Sequence, residues 1–492
     1  MQVAGCACAP DVFDCRRWGL PPGAAADAAG RLHRTWKRFH GCFTTKTHDT
    51  SQYAWYYLKA AMTMDGGRDY ANIARRVISP DDDGQNLQQF MSDSPWDAKG
   101  VFYQIQAEVT ARAEMAGGVL TLDDSGKKRS GDHSAGAGRQ YVGREHQVVM
   151  AQVGVHLGYY QHGVWVVADA ELYLPKNWFD EEHTGLRRQL HIPEDRLFAT
   201  KTELGFLMVL RAWANRLPFA IVAFDCWYGR DGKLRAALDA MGELYIAEVP
   251  QDTFVYVERP TVAVPEKPSG TAGPHFQHPQ VVSEAQPVAV RDLLAHPDLA
   301  LQPVAIRHTE RGMLTYECAA RPVFVLGPDG RPRDEWLFIR REPDETFSFA
   351  LSNAPADTPL WQLALWRCER YFAERVYEDV KDEAGWGELV ARKFRAWMHH
   401  TAIDALALWF VSETKLDWAK EHPRDPELSR ELQVDVLPAL SMANVRELLK
   451  AALPLPQLTP EQASRLVAKH LVNRSRSTHT RLEAQRRTRA AT

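Results

Sequence analysis

The sequence predicts an α/β fold: a core of alternating strands and helices, interrupted by a β-rich insertion and flanked by helical N-terminal and C-terminal regions. Three observations predict it. Between residues 117 and 250, short apolar runs bounded by polar and turn residues give way to alternating helical and strand periodicity. A Pro- and Gly-rich stretch, 260–287, is followed by four short strand-like runs. Outside this block, apolar residues recur at helical spacing, in 31–116 and again from 359 onward. A chain of 492 residues is also too long for one small core.

The elements follow in order. Residues 1–30 are rich in Ala, Gly and Pro and are expected to form a flexible N-terminus. Residues 31–116 read as helical, with Trp36, Phe39 and Phe43, then 53–58, and a break at Asp81-Asp82-Asp83-Gly84. Strands are expected at 119–122, 147–160 and 163–174, a helix at 201–215, a strand at 219–224, a helix at 233–241 and a strand at 243–249. That β-β-β-α-β-α-β order resembles the ribonuclease H-like core. Its first part would span 117–250 and its last part 359–416, with 251–358 as a β-rich insertion carrying strand-like runs at 302–307, 313–318, 336–341 and 346–351. Residues 417–492 read as a helical C-terminal region with a basic tail, and no internal repeat is present.

Composition excludes several classes. Hydrophobic residues are 45% and charged residues 25%, ordinary for a globular protein. Charged residues interrupt every apolar stretch, and the start of the chain lacks a secretory pattern, so a cytoplasmic protein without membrane contact is expected. Seven cysteines at irregular spacing argue against a disulfide framework. Cys6, Cys8 and Cys15 lack a second pair at zinc-finger spacing. The net charge of −4 hides two basic clusters. One is Arg31, Arg34, Lys37, Arg38 and Lys46; the other runs through Arg465, Lys469, Arg474, Arg476, Arg481, Arg486, Arg487 and Arg489. Such clusters neutralise phosphates, or else form solvated helix faces.

Three acids carry the chemistry. Asp123 follows the apolar run Val119-Leu120-Thr121-Leu122 and competes with its neighbour Asp124; the alternation points Asp123 away from the apolar face. Asp225 ends the run 219–224, and Gly229 can turn the chain after it. Glu374 lies four residues after Arg370 and seven before Lys381, so the three share one helix stripe. Mg²⁺ prefers carboxylate oxygens, and two such ions about 3.5–4 Å apart stabilise both the attacking and the leaving oxygen of a phosphodiester. Three converging carboxylates would hold two Mg²⁺, with Mn²⁺ as the alternative metal. Each piece alone reads more readily as a solvated acid or a surface ion-pair ladder. Lys127, Lys128, Arg129, Arg139 and Arg144 surround the first acid and suit phosphate contacts. The Gly-rich stretch 131–143 is followed by a strand, which excludes a nucleotide-cradling loop at a helix N-terminus.

The chain resembles the DDE transposases of bacterial insertion sequences, in the group with a β-rich insertion between the second Asp and the Glu, and within it insertion-sequence family 701. The resemblance rests on Asp123-Asp124-Ser125-Gly126 with Lys127-Lys128, on 134–141, on Gln152-Val153-Gly154-Val155 and on Leu172-Tyr173-Leu174-Pro175. It continues through Asp225 with Tyr228-Gly229, then Ser352-Asn353-Ala354-Pro355, and ends on Arg370, Glu374, Lys381 and Gly385. The family pattern of acid, any residue, Thr or Ser selects Asp123 over Asp124. Arg367 stands where the family's late-helix signature has Tyr.

The resemblance implies a metal-dependent enzyme that cuts double-stranded DNA at transposon ends and joins the ends to target DNA. Asp123, Asp225 and Glu374 would be the catalytic metal ligands, and Lys127, Lys128, Arg139, Arg370 and Lys381 would bind DNA. Trp336, in the insertion, would stack on a flipped base; taken alone it reads more readily as a buried core residue. The helical region 31–116 and the basic tail would contact the inverted repeats, and a homodimer on DNA would pair the two ends. Two rival readings are a DNA-binding protein of transposon origin and a ribonuclease H-like nuclease that never joins strands. A two-carboxylate sugar hydrolase would leave the Arg370–Glu374–Lys381 stripe unexplained.

Overall fold

A computed structural model describes residues 11–265, 278–372, 383–388 and 392–491. The chain opens with helices α1 (Ala24–Arg38), α2 (Ser51–Thr63), α3 (Tyr70–Ile73), α4 (Gln85–Ser92) and α5 (Ala98–Thr110). The expected loose segment 1–30, of which 1–10 lie outside the described residues, is corrected at its end: α1 starts at Ala24, and Ala28 is fully buried. Its run of alanines has the highest helix propensity of any residue type, and composition alone mistook that run for disorder.

Strands β1 (Gly118–Lys128), β2 (Gly138–Val142), β3 (Gln147–Gln161) and β4 (Val164–Leu172) come next, then α6 (Thr184–Gln189) and α7 (Lys201–Ala214). β5 (Phe219–Phe224), α8 (Cys226–Gly229), α9 (Gly232–Ala240) and β6 (Tyr245–Val249) complete the alternating part. β7 (Phe254–Val255) pairs with β10 (Val288–Ala289), and β8 (Val262–Ala263) with β9 (Gln280–Val281), as two small sheets. β11 (Gln302–Thr309), β12 (Gly312–Leu326), β13 (Pro332–Arg341) and β14 (Phe347–Ser352) form a meander, followed by α10 (Leu360–Glu369).

Among the described residues ten strands make one sheet, in the order β11-β12-β13-β14-β6-β5-β1-β3-β2, with β4 also on β3. β1, β5 and β6 are parallel. β3 runs antiparallel to β1, and β4 to β3. The segment 251–358 therefore does not stand apart as its own sheet. β14 pairs antiparallel with β6, Phe349 opposite Val249 and Ala350 opposite Glu248, so the meander extends the sheet.

The parallel strands are covered on both sides, which is why they read as unbroken apolar runs. On one side Leu120, Leu122, Val222 and Phe224 meet Leu204 and Met208 of α7 and Leu238 of α9. On the other Val119, Ile221, Ala223 and Ile246 meet Leu363 and Ala364 of α10. A 28-residue helix, Phe394–Glu421, closes this second side over β3 and β4. There Gly154 leaves room for Trp397, since a Cβ would sit 2.3 Å from its ring. The same helix packs against α1, α2, α4 and α5, so the N-terminal helices share the main core.

Candidate active site

β1 runs through the Asp123-Asp124 doublet as far as Lys128, so neither acid ends the strand. Thr121 is as buried as Leu120 and Leu122, so the face that carries Asp123 is not the solvent face the alternation implied. The face matters more than the strand end. Asp123 follows Val119 and Thr121 on the side covered by α10, and Asp225 follows Ile221 and Ala223 on the same side. The parallel register pairs Thr121 with Ala223 and Leu122 with Phe224, so the next position on each strand is an aspartate. On β6 the register continues from Ala247, opposite Phe224, to Glu248. On β3 the partner of Asp123 is the buried His156. A row His156–Asp123–Asp225–Glu248 thus crosses four neighbouring strands.

Local hydrogen bonds fix the two aspartates. Asp123 Oδ1 accepts from the Asp124 N–H at 2.6 Å. Asp225 Oδ1 accepts from the N–H groups of Trp227 and Tyr228 at 3.0 and 3.2 Å, capping the one-turn helix α8. That turn lies flat on β6: a Cβ on Gly229 would meet the Glu248 carbonyl oxygen at 1.7 Å, which only glycine avoids. Burial pushes the Asp123 carboxyl up to about 7, and the charges of Asp225 and then Asp124 add to it. Burial also raises Asp225, offset in part by the Tyr228 N–H and Arg370.

Cations border the row. Arg370 Nε lies 2.9 Å from Glu248 Oε1, and the buried Arg367 binds the same oxygen. Arg367 therefore places a buried charge that ties α10 to β6. Asp124 points to the opposite side of the sheet, where its Oδ2 is 2.7 Å from Lys201 Nζ. The second half of β1 lines a cleft of about 500 Å³ with Lys127, Lys128, Arg129, Trp386 and Trp397. Lys127 donates to the Gly387 carbonyl at 2.6 Å, and burial lowers its amine to about 8. Arg129 donates to Gln152, while Lys128 and Arg139 are exposed.

Two predicted site residues, Glu374 and Lys381, lie outside the described residues, as does the Arg144 side chain. Asp123, Asp225 and Arg370 are brought together. Trp336 is half-buried on β13 and donates to the Pro355 carbonyl at 3.1 Å; its register partners lead through Ser352 to Ile246, two residues short of Glu248. Sequence reasoning missed Glu248, His156 and Lys201. Glu248 had a weak signal, an acid near the end of an apolar strand; the other two had none, because their partners are distant along the chain.

The donor set suits a divalent cation. Two adjacent, half-buried carboxylates repel each other, and a hard dication relieves that repulsion with oxygen ligands. Among the described residues no group of three His, Cys, Asp or Glu side chains is placed to hold a metal ion. No described helix is long and apolar enough to cross a membrane.

The fold and this acid row define a nuclease-like α/β protein. The sequence profile described as DDE superfamily endonuclease matches residues 38–313, a span that contains both aspartates. The chain belongs to that family. No curated protein matches the chain.

Proposed function

We propose that this protein is a DNA transposase that cuts at transposon ends and transfers the freed strands into target DNA, of the insertion-sequence family 701 type. One observation carries the reading: Asp123 and Asp225 lie side by side across a parallel strand pair, and burial with the charges of Asp225 and Asp124 raises the Asp123 carboxyl to about 7. The strand order β4-β3-β1-β5-β6, in which β3 alone runs opposite to the other four, supports a ribonuclease H-like core, with 251–358 inserted before the final helices.

In this reading Asp123, Asp225 and Glu374 hold two Mg²⁺, or Mn²⁺ in their place, which supply charge neutralisation and water activation when bound. Asp225 is kept in place by the Trp227 and Tyr228 N–H groups. Arg370, Lys381, Lys127, Lys128 and Arg139 contact phosphates, and the α10 and Trp397 wall limits the water around the row. Hydrolysis frees a 3′-hydroxyl, which attacks a second phosphodiester and expels its 3′-oxygen. The helices of 31–116 and the basic C-terminal helix contact inverted-repeat DNA, and a homodimer pairs the two ends.

The test is cleavage of repeat-end DNA with Mg²⁺. Wild type is expected to give nicked ends and strand-transfer joints. Nicks without joints would favour a nuclease, and bound but intact DNA would favour a binding protein. Full cleavage by Asp225→Asn would refute the site.

A further inference from the structure

The Asp123-Asp124 doublet offers two carboxylates where one is needed, and the structure treats them differently. Asp123 lies on the α10 side, in line with Asp225. Asp124 lies on the α7 side and is paired with Lys201 at 2.7 Å. Lys201 is the first residue of α7, and its helix is anchored by a capping box between Thr200 and Glu203. Its Nζ also sits 5.7 Å from the ring centres of both Tyr173 and Trp227. Trp227 is the residue whose N–H binds Asp225. The Lys201 and Asp124 side chains are only 15% and 26% exposed, so the pair is boxed in rather than freely solvated.

Asp124 adjoins Asp123 in sequence, yet its carboxylate is held on the other side of β1 from the row. Without a partner, this third carboxylate would attract a cation toward the wrong side of β1. With Lys201 beside it, the doublet presents one available carboxylate to the row.

We propose that Lys201 is a positioning residue: its ion pair with Asp124 keeps that acid out of the cation site and leaves Asp123 to act with Asp225. The proposal rests on the reading of Asp123 and Asp225 as cation ligands. Lys201 reaches the row only through Asp124 and the Trp227 ring, not by contact with the reacting atoms.

The experiment compares Lys201→Met, Lys201→Arg, Asp124→Asn and the double variant Lys201→Met/Asp124→Asn in Mg²⁺-dependent cleavage of saturating repeat-end DNA. Thermal melting is measured on each. Lys201→Met is expected to cleave at least about tenfold more slowly, with its half-saturating Mg²⁺ concentration shifted from wild type. Asp124→Asn and Lys201→Arg are expected to stay within about threefold of wild type. The double variant should recover to that range, because removing the carboxylate removes the need for its partner.

A double variant as slow as Lys201→Met would overturn the proposal and make Lys201 a direct DNA contact. Near-wild-type cleavage by Lys201→Met would also overturn it, as would loss of cleavage in Asp124→Asn. If Lys201→Met fails to fold, the double variant and Lys201→Arg still decide the matter, since rescue by Asp124→Asn requires the charge relationship. Asp225→Asn is run alongside: full activity there would sink the underlying site, whereas its inactivity confines any failure to Lys201.

Discussion

Asp123 and Asp225 occupy the same level of adjacent parallel strands, one step beyond the Leu122–Phe224 pair. The relationship follows from register alone. A shift of one residue would send one of the two acids to the α7 side. The first prediction is therefore symmetrical. Asp123→Asn and Asp225→Asn should each reduce Mg²⁺-dependent cleavage by more than about a thousandfold, on the order of 4 kcal/mol in the barrier. Both should bind repeat-end DNA normally in a gel-shift assay.

Stability should depend on pH in a specific direction when metal is chelated. Asp123 ionises near 3.8 when unfolded and near 7 in the fold, through burial and then the charges of Asp225 and Asp124. Between these values the native state keeps a proton that the unfolded chain has released. Folding stability thus falls as pH rises from about 4 to 7, by up to about 1.4 kcal/mol per pH unit. Urea denaturation in EDTA at pH 5 and pH 7 should show the fall. Asp123→Asn should reduce it, and millimolar Mg²⁺ should close the gap by binding only the native, ionised site.

Gly229 tests the support beneath Asp225. Its missing Cβ allows α8 to lie against the Glu248 carbonyl. Gly229→Ala should lower stability by about 1–3 kcal/mol, the usual range for overpacking, and displace Asp225 from its place beside Asp123. Thermal melting and cleavage should fall together.

The C-terminal helix, Pro460–Ala491, is largely exposed. Eight Lys and Arg residues face two Glu along it. A long exposed helix gains little from packing, and its positive charge is suited to phosphates. Ending the chain at Thr459 should weaken DNA binding and lower the slope of log affinity against log salt by about 0.9 for each phosphate that the shortened protein no longer neutralises. An unchanged slope would remove this helix from the DNA interface.

Part of the pattern was legible, although acids beside apolar runs are common and stood out only through their order among the elements. The strands β1, β3, β4, β5 and β6 followed from period and punctuation, as did the places of Asp123 on β1 and Asp225 just after β5. What was not legible depends on pairings between residues far apart along the chain. The pairing of β14 with β6 joined the segment expected as an insertion to the main sheet. The same long-range pairing set Glu248 beside Asp225 and His156 beside Asp123. Arg367 looked like a departure from a motif, yet it is buried against Glu248, a strand residue more than a hundred positions earlier. The alanine-rich start was misread because Ala favours helices as strongly as its neighbours Gly and Pro favour loops.

The most direct measurement is an anomalous difference map from Mn²⁺-soaked crystals of the protein bound to repeat-end DNA. The account predicts two peaks about 3.5–4 Å apart, both between Asp123 and Asp225, with Glu374 completing the ligand set. Ordered Asp123 and Asp225 side chains with no peak between them, or a peak on Asp124 instead, would contradict it.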